Sequence, residues 1–147
     1  MTQESKKRLA IRPYRESDQR AVVELWRECG LVVAWNDPES DIRRKLQVQP
    51  DMFLVGLLGS RLVATVMAGY EGHRGWINYL AVKSEFRKQG LGRRLMEEAE
   101  ARLIEAGCPK INLQVRKSNA AAVAFYERIG YSSDDVVSMG KRLVEDS

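Results

Sequence analysis

The residues with the clearest chemical content run Leu80-Ala81-Val82-Lys83-Ser84-Glu85-Phe86-Arg87-Lys88-Gln89-Gly90-Leu91-Gly92. An apolar, strand-like stretch enters a basic turn holding two glycines and leaves directly into a helical pattern. The first N–H groups of a helix have no intrahelical acceptor and carry partial positive charge, so such a turn gathers donors around a spot that suits an anion. Gly90 and Gly92 let a phosphate approach the backbone without a Cβ in the way, while Arg87, Lys88, Arg93 and Arg94 supply counter-charge. One helix terminus contributes only about 0.3–1 kcal/mol, whereas micromolar binding needs about 8 kcal/mol, so the ligand must make contacts beyond the turn. No Gly-Lys-Ser/Thr follows, which excludes a P-loop, and Gly-x-Gly-x-x-Gly is absent, which excludes the dinucleotide fingerprint. The competing structural account is a helix that merely starts with glycines beside solvated basic residues; the spacing Arg-x-x-Gly-x-Gly after Leu-Ala-Val tells against it.

Other chemistries are excluded by counting. The chain has 147 residues, one histidine (His73) and two cysteines (Cys29 and Cys108), so no Cys/His zinc cluster and no disulfide scaffold can be assembled, and no metal is expected. Leu, Ile, Val and Phe make up about a quarter of the chain, enough for a core. The longest apolar runs, Leu31 to Trp35 and Phe53 to Leu58, are too short to cross a bilayer, and the polar start lacks the apolar stretch of a signal peptide. A cytoplasmic protein with reduced thiols and no membrane partner is the expectation. The formal net charge of +4 suits an anionic small molecule as well as it suits RNA.

The elements that must position the turn follow from periodicity. Residues 1 to 8 read as a flexible tail, ahead of one domain over 9–147. Leu9 to Arg12 read as a first strand stopped by Pro13. Ser17 or Asp18 can cap a helix with Val22, Leu25, Trp26 and Cys29 on one face, and Asp37-Pro38 starts a second helix carrying Ile42 and Leu46. Phe53 to Leu58 and Arg61 to Tyr70 form a hairpin about Gly59-Ser60. Trp76 to Lys83 is a further strand, Gly90 to Ala106 a long helix closed by Gly107, and Ile111, Leu113 and Val115 alternate as a strand. Asn119 to Ile129 form a last helix, and Tyr131 to Leu143 hold strand-like segments. The order β, α, α, three strands, α, β, α, β predicts a mixed α/β single domain with helices on both faces of a central sheet.

At Arg87-Lys88-Gln89-Gly90-Leu91-Gly92 the chain resembles the GNAT superfamily of acyl-CoA-dependent N-acetyltransferases. A second motif of that family, Asn-x-x-Ala-x-x-x-Tyr-x-x-x-Gly-Phe/Tyr, falls about thirty residues later as Asn119, Ala122, Tyr126, Gly130 and Tyr131. The segments Trp35 to Glu39 and Gly69 to Gly75 resemble those of the bacterial YpeA-like subgroup. The resemblance covers roughly residues 8 to 144. It implies a mostly antiparallel mixed sheet with a cofactor cleft between splayed central strands, and acetyl-CoA as acyl donor. It further implies that the strand at Leu80, Ala81 and Val82 pairs with the pantetheine arm. The amides of Arg87, Lys88, Gln89, Gly90, Leu91 and Gly92 would hold the pyrophosphate. Asn119 would touch the pantetheine or cap the later helix, and Tyr126 would stand near the thioester sulfur.

Acyl transfer to an amine needs a neutral amine, a polarised carbonyl and a thiolate that can leave. The resemblance makes Tyr126 the general acid for the departing sulfur and an amide at Leu80 or Val82 the oxyanion donor. Many members carry Glu or Asp on the strand just before the cofactor residues, but Asn78 occupies that neighbourhood, and an amide takes no proton at neutral pH. Glu71, His73 and Asp37 are the alternatives, directly or through water. Trp35, Asn36 and Asp37 lie where the family builds a substrate wall and can orient an amine, or Asp37 can simply cap a helix.

Three function classes are thus in play. One is an N-acyltransferase acting on a small-molecule or protein amine, for which a homodimer is compatible with the family. Another is a non-catalytic acyl-CoA sensing module of the same fold. A nucleic-acid binder using Lys83, Arg87, Lys88, Arg93 and Arg94 is disfavoured, because only Phe86 interleaves an aromatic with that cluster.

Overall fold

Alternation in the central strands sends neighbouring side chains into two separate cores. In β2 (Phe53–Leu58), Phe53 and Val55 enter one core and Leu54 enters the other, as a period of two requires. The computed structural model describes residues 8–146, so the expected tail, apart from Arg8, lies outside the described residues. Among the described residues five strands pair in sequence order: β1 (Leu9–Pro13), β2, β3 (Arg61–Tyr70), β4 (Gly75–Val82) and β5 (Ile111–Leu113). Every neighbouring pair is antiparallel except β4 and β5, which are parallel.

One face is covered by α1 (Gln19–Glu28) and α2 (Pro38–Lys45), which bury Trp26, Val22 and Ile42 against Phe53 and Val55. The other is covered by α3 (Leu91–Glu105), whose Leu95, Met96, Ala99 and Leu103 pack on Leu54 and Val66. The last helix, α4 (Ala120–Arg128), joins this second layer through Phe125, Tyr126 and Ile129. Helices on both faces of one mixed sheet are what the alternation of elements predicted. No helix among the described residues is long and apolar enough to cross a membrane.

Three local expectations are revised. Asp18 stands before α1, but its carboxylate turns back to Arg12 and to the Arg15 amide (2.8 Å) instead of capping that helix. β5 ends at Leu113, short of Val115. The strand-like pattern after Tyr131 forms no strand. That segment is fastened by side chains, with Asn112 donating to Asp134 (2.9 Å) and Gln114 to Ser138, and leaves Val136, Val137 and Met139 exposed. Strand propensity in Val136 and Val137 expresses itself only when a ladder and a packing face are supplied together. Here Asp134 accepts side-chain hydrogen bonds from Asn112 and Lys110 in place of a ladder.

β4 and β5 pair only through Gly75–Ile77 and Ile111–Leu113. Beyond Ile77, β4 continues for five residues, Asn78 to Val82, with its β5-side edge unpaired. A bulge lies in the same place: Met67 faces Asn78 and Thr65 faces Ala81, so Tyr79 and Leu80 together oppose Val66. The extra residue bends β4 away from its neighbour and opens the sheet.

Candidate active site

The unpaired edge of β4 runs straight into the turn before α3. A single 3-10 turn at Ser84–Phe86 buries Phe86, and the chain then passes through left-handed conformations at Lys88 (φ 63°) and Gly90 (φ 84°). Gly90 adopts that conformation without steric cost and stands at the N-cap of α3. Arg94 is the first residue whose amide reaches back into the turn, to Gly90 (3.1 Å). The amides of Lys88, Gln89, Gly90, Leu91 and Gly92 donate to no acceptor among the described residues. They form a concave set of donors at the positive end of a fifteen-residue helix.

The basic side chains around this nest are not equivalent. Arg87 folds back, donating through Nε to the Val82 carbonyl (3.0 Å) and through Nη2 to Cys29 Sγ (3.2 Å). Lys83 faces Glu28 (3.4 Å) and Arg93 faces Glu97 (3.7 Å). Lys88 and Arg94 are exposed beside the nest with no hydrogen bond or ion pair to a described residue. The sequence places five cations here; Lys88 and Arg94 are the two whose charge the fold leaves uncommitted.

Gly92 answers a different demand from the one its spacing suggests. A Cβ there would come within 3.3 Å of the Phe125 ring and 3.6 Å of Val82. Its missing side chain therefore lets α4 lie across the first turn of α3. Asn119 caps α4, accepting from the Ala122 amide (3.0 Å), so of its two anticipated roles its side-chain oxygen performs the capping one.

Tyr126, next to Phe125, is half-buried and packs edge-on to Tyr131 with centroids 5.8 Å apart. Burial pushes its phenol up to about 12. Tyr126 also lines an open groove of about 1130 Å³ between α3, β5 and the segment after α4. No residue from Asn78 to Gly92 lines that groove, while Tyr126, Leu80 and Val82 all pack against the same core. Tyr131, also in the groove, donates to Glu100 (2.5 Å), and burial together with that carboxylate raises its phenol.

The Lys83 amide donates to Val63 of β3 (2.8 Å), so by alternation Val82 turns its main-chain groups to the open edge. Ala81 is buried towards α1. Tyr79 holds φ 54°, a conformation that costs a non-glycine residue of order 1–3 kcal/mol and persists only where its surroundings over-determine it. Three contacts do so. Its ring stacks on Trp26 (centroids 3.8 Å), its hydroxyl donates to Asp41 (2.6 Å), and its carbonyl accepts from the hydroxyl of Thr65 (2.8 Å). Burial and the Asp41 carboxylate raise the Tyr79 phenol. Neither Thr65 nor the bulge was anticipated, and nothing in Ile-Asn-Tyr-Leu signals one.

The residues proposed for base and substrate binding divide into two distant groups. Glu71 and His73 sit in the β3–β4 loop, at the paired end of β4. Leu80 lies five residue steps beyond Gly75, roughly 16 Å at strand rise. Glu71 accepts from the amides of Arg74 and His73, which hold its carboxyl below the usual range, and His73 is exposed. Both therefore lie at the end of β4 opposite the amide nest.

Trp35, Asn36 and Asp37 instead gather with residues from beyond β5 and from the chain's last turn. Arg116 lies over the Trp35 ring (5.6 Å), with Trp35 55% exposed, and Arg142 donates to Asn36 (2.8 Å). Asp37 caps α2, accepting from the side chain and amide of Ser40, which hold its carboxyl low. Its own amide donates to Asp146 (3.0 Å), whose carboxylate also meets Arg44 and Arg142 and is 3% exposed. Asp37 is thus committed to capping. Asn78 is exposed on β4 at the start of the opening. No cluster of three or more metal-ligating side chains exists among the described residues.

The parallel strand pair opens into a nest of free amides at a helix start, an arrangement suited to an elongated anion. The acetyltransferase (GNAT) family pattern matches residues 15–131, and the chain belongs to that family. It is 46% identical over 138 residues to an acetyltransferase of Pectobacterium atrosepticum, covering 94% of this chain and 98% of that one. An acetyltransferase of Yersinia enterocolitica is 44% identical over the same shares. The fold superposes on PaiA N-acetyltransferase from Thermoplasma acidophilum in complex with coenzyme A, with a TM-score of 0.73 and 22% identity over 88% of this chain and 93% of that one. The chain is an enzyme of the acetyltransferase type.

Proposed function

We propose that the protein transfers an acetyl group from acetyl-CoA to a primary amine by direct attack in a ternary complex. The observation that carries this reading is the continuity of the unpaired β4 edge with the five free amides from Lys88 to Gly92. The amides, with Lys88 and Arg94, hold the pyrophosphate. Leu80 and Val82 offer main-chain groups to the pantetheine arm, which adds to β4 like a strand. Arg87 must release the Val82 carbonyl for that pairing to reach the end of the strand.

In the reaction the amine nitrogen attacks the thioester carbon, the Leu80 amide takes up the charge that develops on the carbonyl oxygen, and the carbon–sulfur bond breaks. Tyr126 then protonates the departing thiolate. A phenol at about 12 stays protonated throughout the working range, as an acid must. No candidate carboxylate is free to take the amine's proton. Asp37 caps α2, Asp41 binds Tyr79 and Arg44, and Glu71 lies at the far end of β4. The proton therefore leaves through water at the open mouth, and the amine must reach the site neutral.

The test is a panel of small amines and amine-bearing peptides incubated with acetyl-CoA, reading release of free CoA. Transfer to at least one amine is expected. CoA binding with no transfer to any amine would overturn the catalytic reading and leave a sensing module of the same fold.

A further inference from the structure

Thr65 is fully buried in β3, and its hydroxyl makes two directed bonds. It accepts from Trp26 Nε1 (2.9 Å) and donates to the carbonyl of Tyr79 (2.8 Å). A hydroxyl has one proton, so the indole's donation leaves that proton aimed at Tyr79. The peptide between Tyr79 and Leu80 is trans and planar, which sets its C=O and N–H in opposite directions. Holding the Tyr79 carbonyl towards β3 therefore turns the Leu80 amide away from β3, onto the unpaired edge of β4.

We infer that Thr65 is a positioning residue for acyl transfer: through the Tyr79 carbonyl it aims the Leu80 amide at the thioester carbonyl. This rests on the reading given above, in which that amide receives the developing oxyanion. Trp26 completes the device, since it orients the Thr65 hydroxyl with its indole nitrogen and supports the Tyr79 ring with its face. Thr65 touches neither substrate nor cofactor. Its effect should appear in turnover and in the polarisation of the bound carbonyl, while cofactor affinity, which depends on the distant amide nest, stays in place.

The experiment compares wild type, Thr65→Val and Thr65→Ser, using acetyl-CoA labelled with carbon-13 at the thioester carbonyl. Isotope-edited infrared spectroscopy should show the carbonyl stretch shifted down on binding to wild type and to Thr65→Ser, and unshifted in Thr65→Val. In steady-state assays Thr65→Val should lose at least tenfold in kcat, with KM for acetyl-CoA within about twofold, and Thr65→Ser should recover most of that loss. If Thr65→Val fails to fold, Trp26→Phe keeps the ring over Tyr79 and removes the indole donor; the same loss of shift is then expected. A downshift and a kcat that survive in folded Thr65→Val overturn the role of Thr65 and leave acyl transfer standing. Absence of both downshift and transfer in wild type overturns the reading beneath it.

Discussion

Phe125 holds its ring 3.3 Å from where a Cβ on Gly92 would lie, so the second glycine of the anion-binding turn is also the contact that seats α4 on α3. In Gly92→Ala the ring must yield a few tenths of an ångström, while the gain in helix propensity is about 1 kcal/mol, so the net change in stability should stay within about 1 kcal/mol. Gly92→Val overfills the contact and should cost about 1–3 kcal/mol. Urea unfolding of Gly92→Val, Phe125→Leu and the double variant checks this. The double variant should recover part of the loss, and strict additivity would show that the two residues do not share the strain.

Asn119 accepts from the Ala122 amide, and its removal exposes an unpaired donor at the start of α4. Asn119→Ala should lower stability by about 1 kcal/mol, whereas Asn119→Ser keeps a cap and should lose little. Because the side-chain oxygen is used by the cap, CoA affinity measured by calorimetry should change less than twofold in both. A larger loss of affinity would mean that Asn119 also grips the cofactor.

As the proposed acid, Tyr126 would govern the alkaline side of the reaction. Its phenol, raised to about 12 by burial, remains an acid up to that pH, and the amine must be neutral to attack. The kcat/KM for the amine should therefore rise with pH through the amine's own pKa and show no decline below about pH 11. Tyr126→Phe should reduce kcat about a hundredfold. A decline near pH 8 to 9 in wild type would point to a different acid.

Asp146 is held by Arg44 and by the Asp37 amide, which depress its carboxyl to about 2. A carboxylate whose folded pKa lies below its unfolded value of about 3.9 adds stability that is fully present above that value and is lost as pH falls through about 2. The clasp between residues 142–146 and the start of α2 should thus persist well below pH 4 and open as pH falls through about 2. The nitrogen-15 shift of the Asp37 amide reports this directly, moving with a midpoint near pH 2. Asp146→Asn should move the same signal at neutral pH.

Much of the architecture is written locally. Gly59 and Gly90 sit where the chain turns left-handed, Asp37-Pro38 opens a helix with its own cap, and the alternation of β2 names its two cores. The anion nest is local too, because a glycine-bearing turn that enters a helix leaves its amides free whatever surrounds it. The strand anticipated after Tyr131 failed for the converse reason: its residues carry strand propensity, but a strand also requires a partner edge that no local pattern supplies.

The roles of Glu71 and Thr65 lay beyond that reach. Glu71 is a carboxylate of a suitable kind, and it is the fold that carries it to the paired end of β4. Residue types and spacings were enough to assign the family, the helix start suited to phosphate and the second motif at Asn119 and Tyr126. The bulge at Tyr79 depends on Thr65, 14 residues earlier, and through it on Trp26, a further 39 residues back. Contacts across such separations arise only when two cores close on one sheet, so the direction of the Leu80 amide is decided by packing and not by any residue beside it.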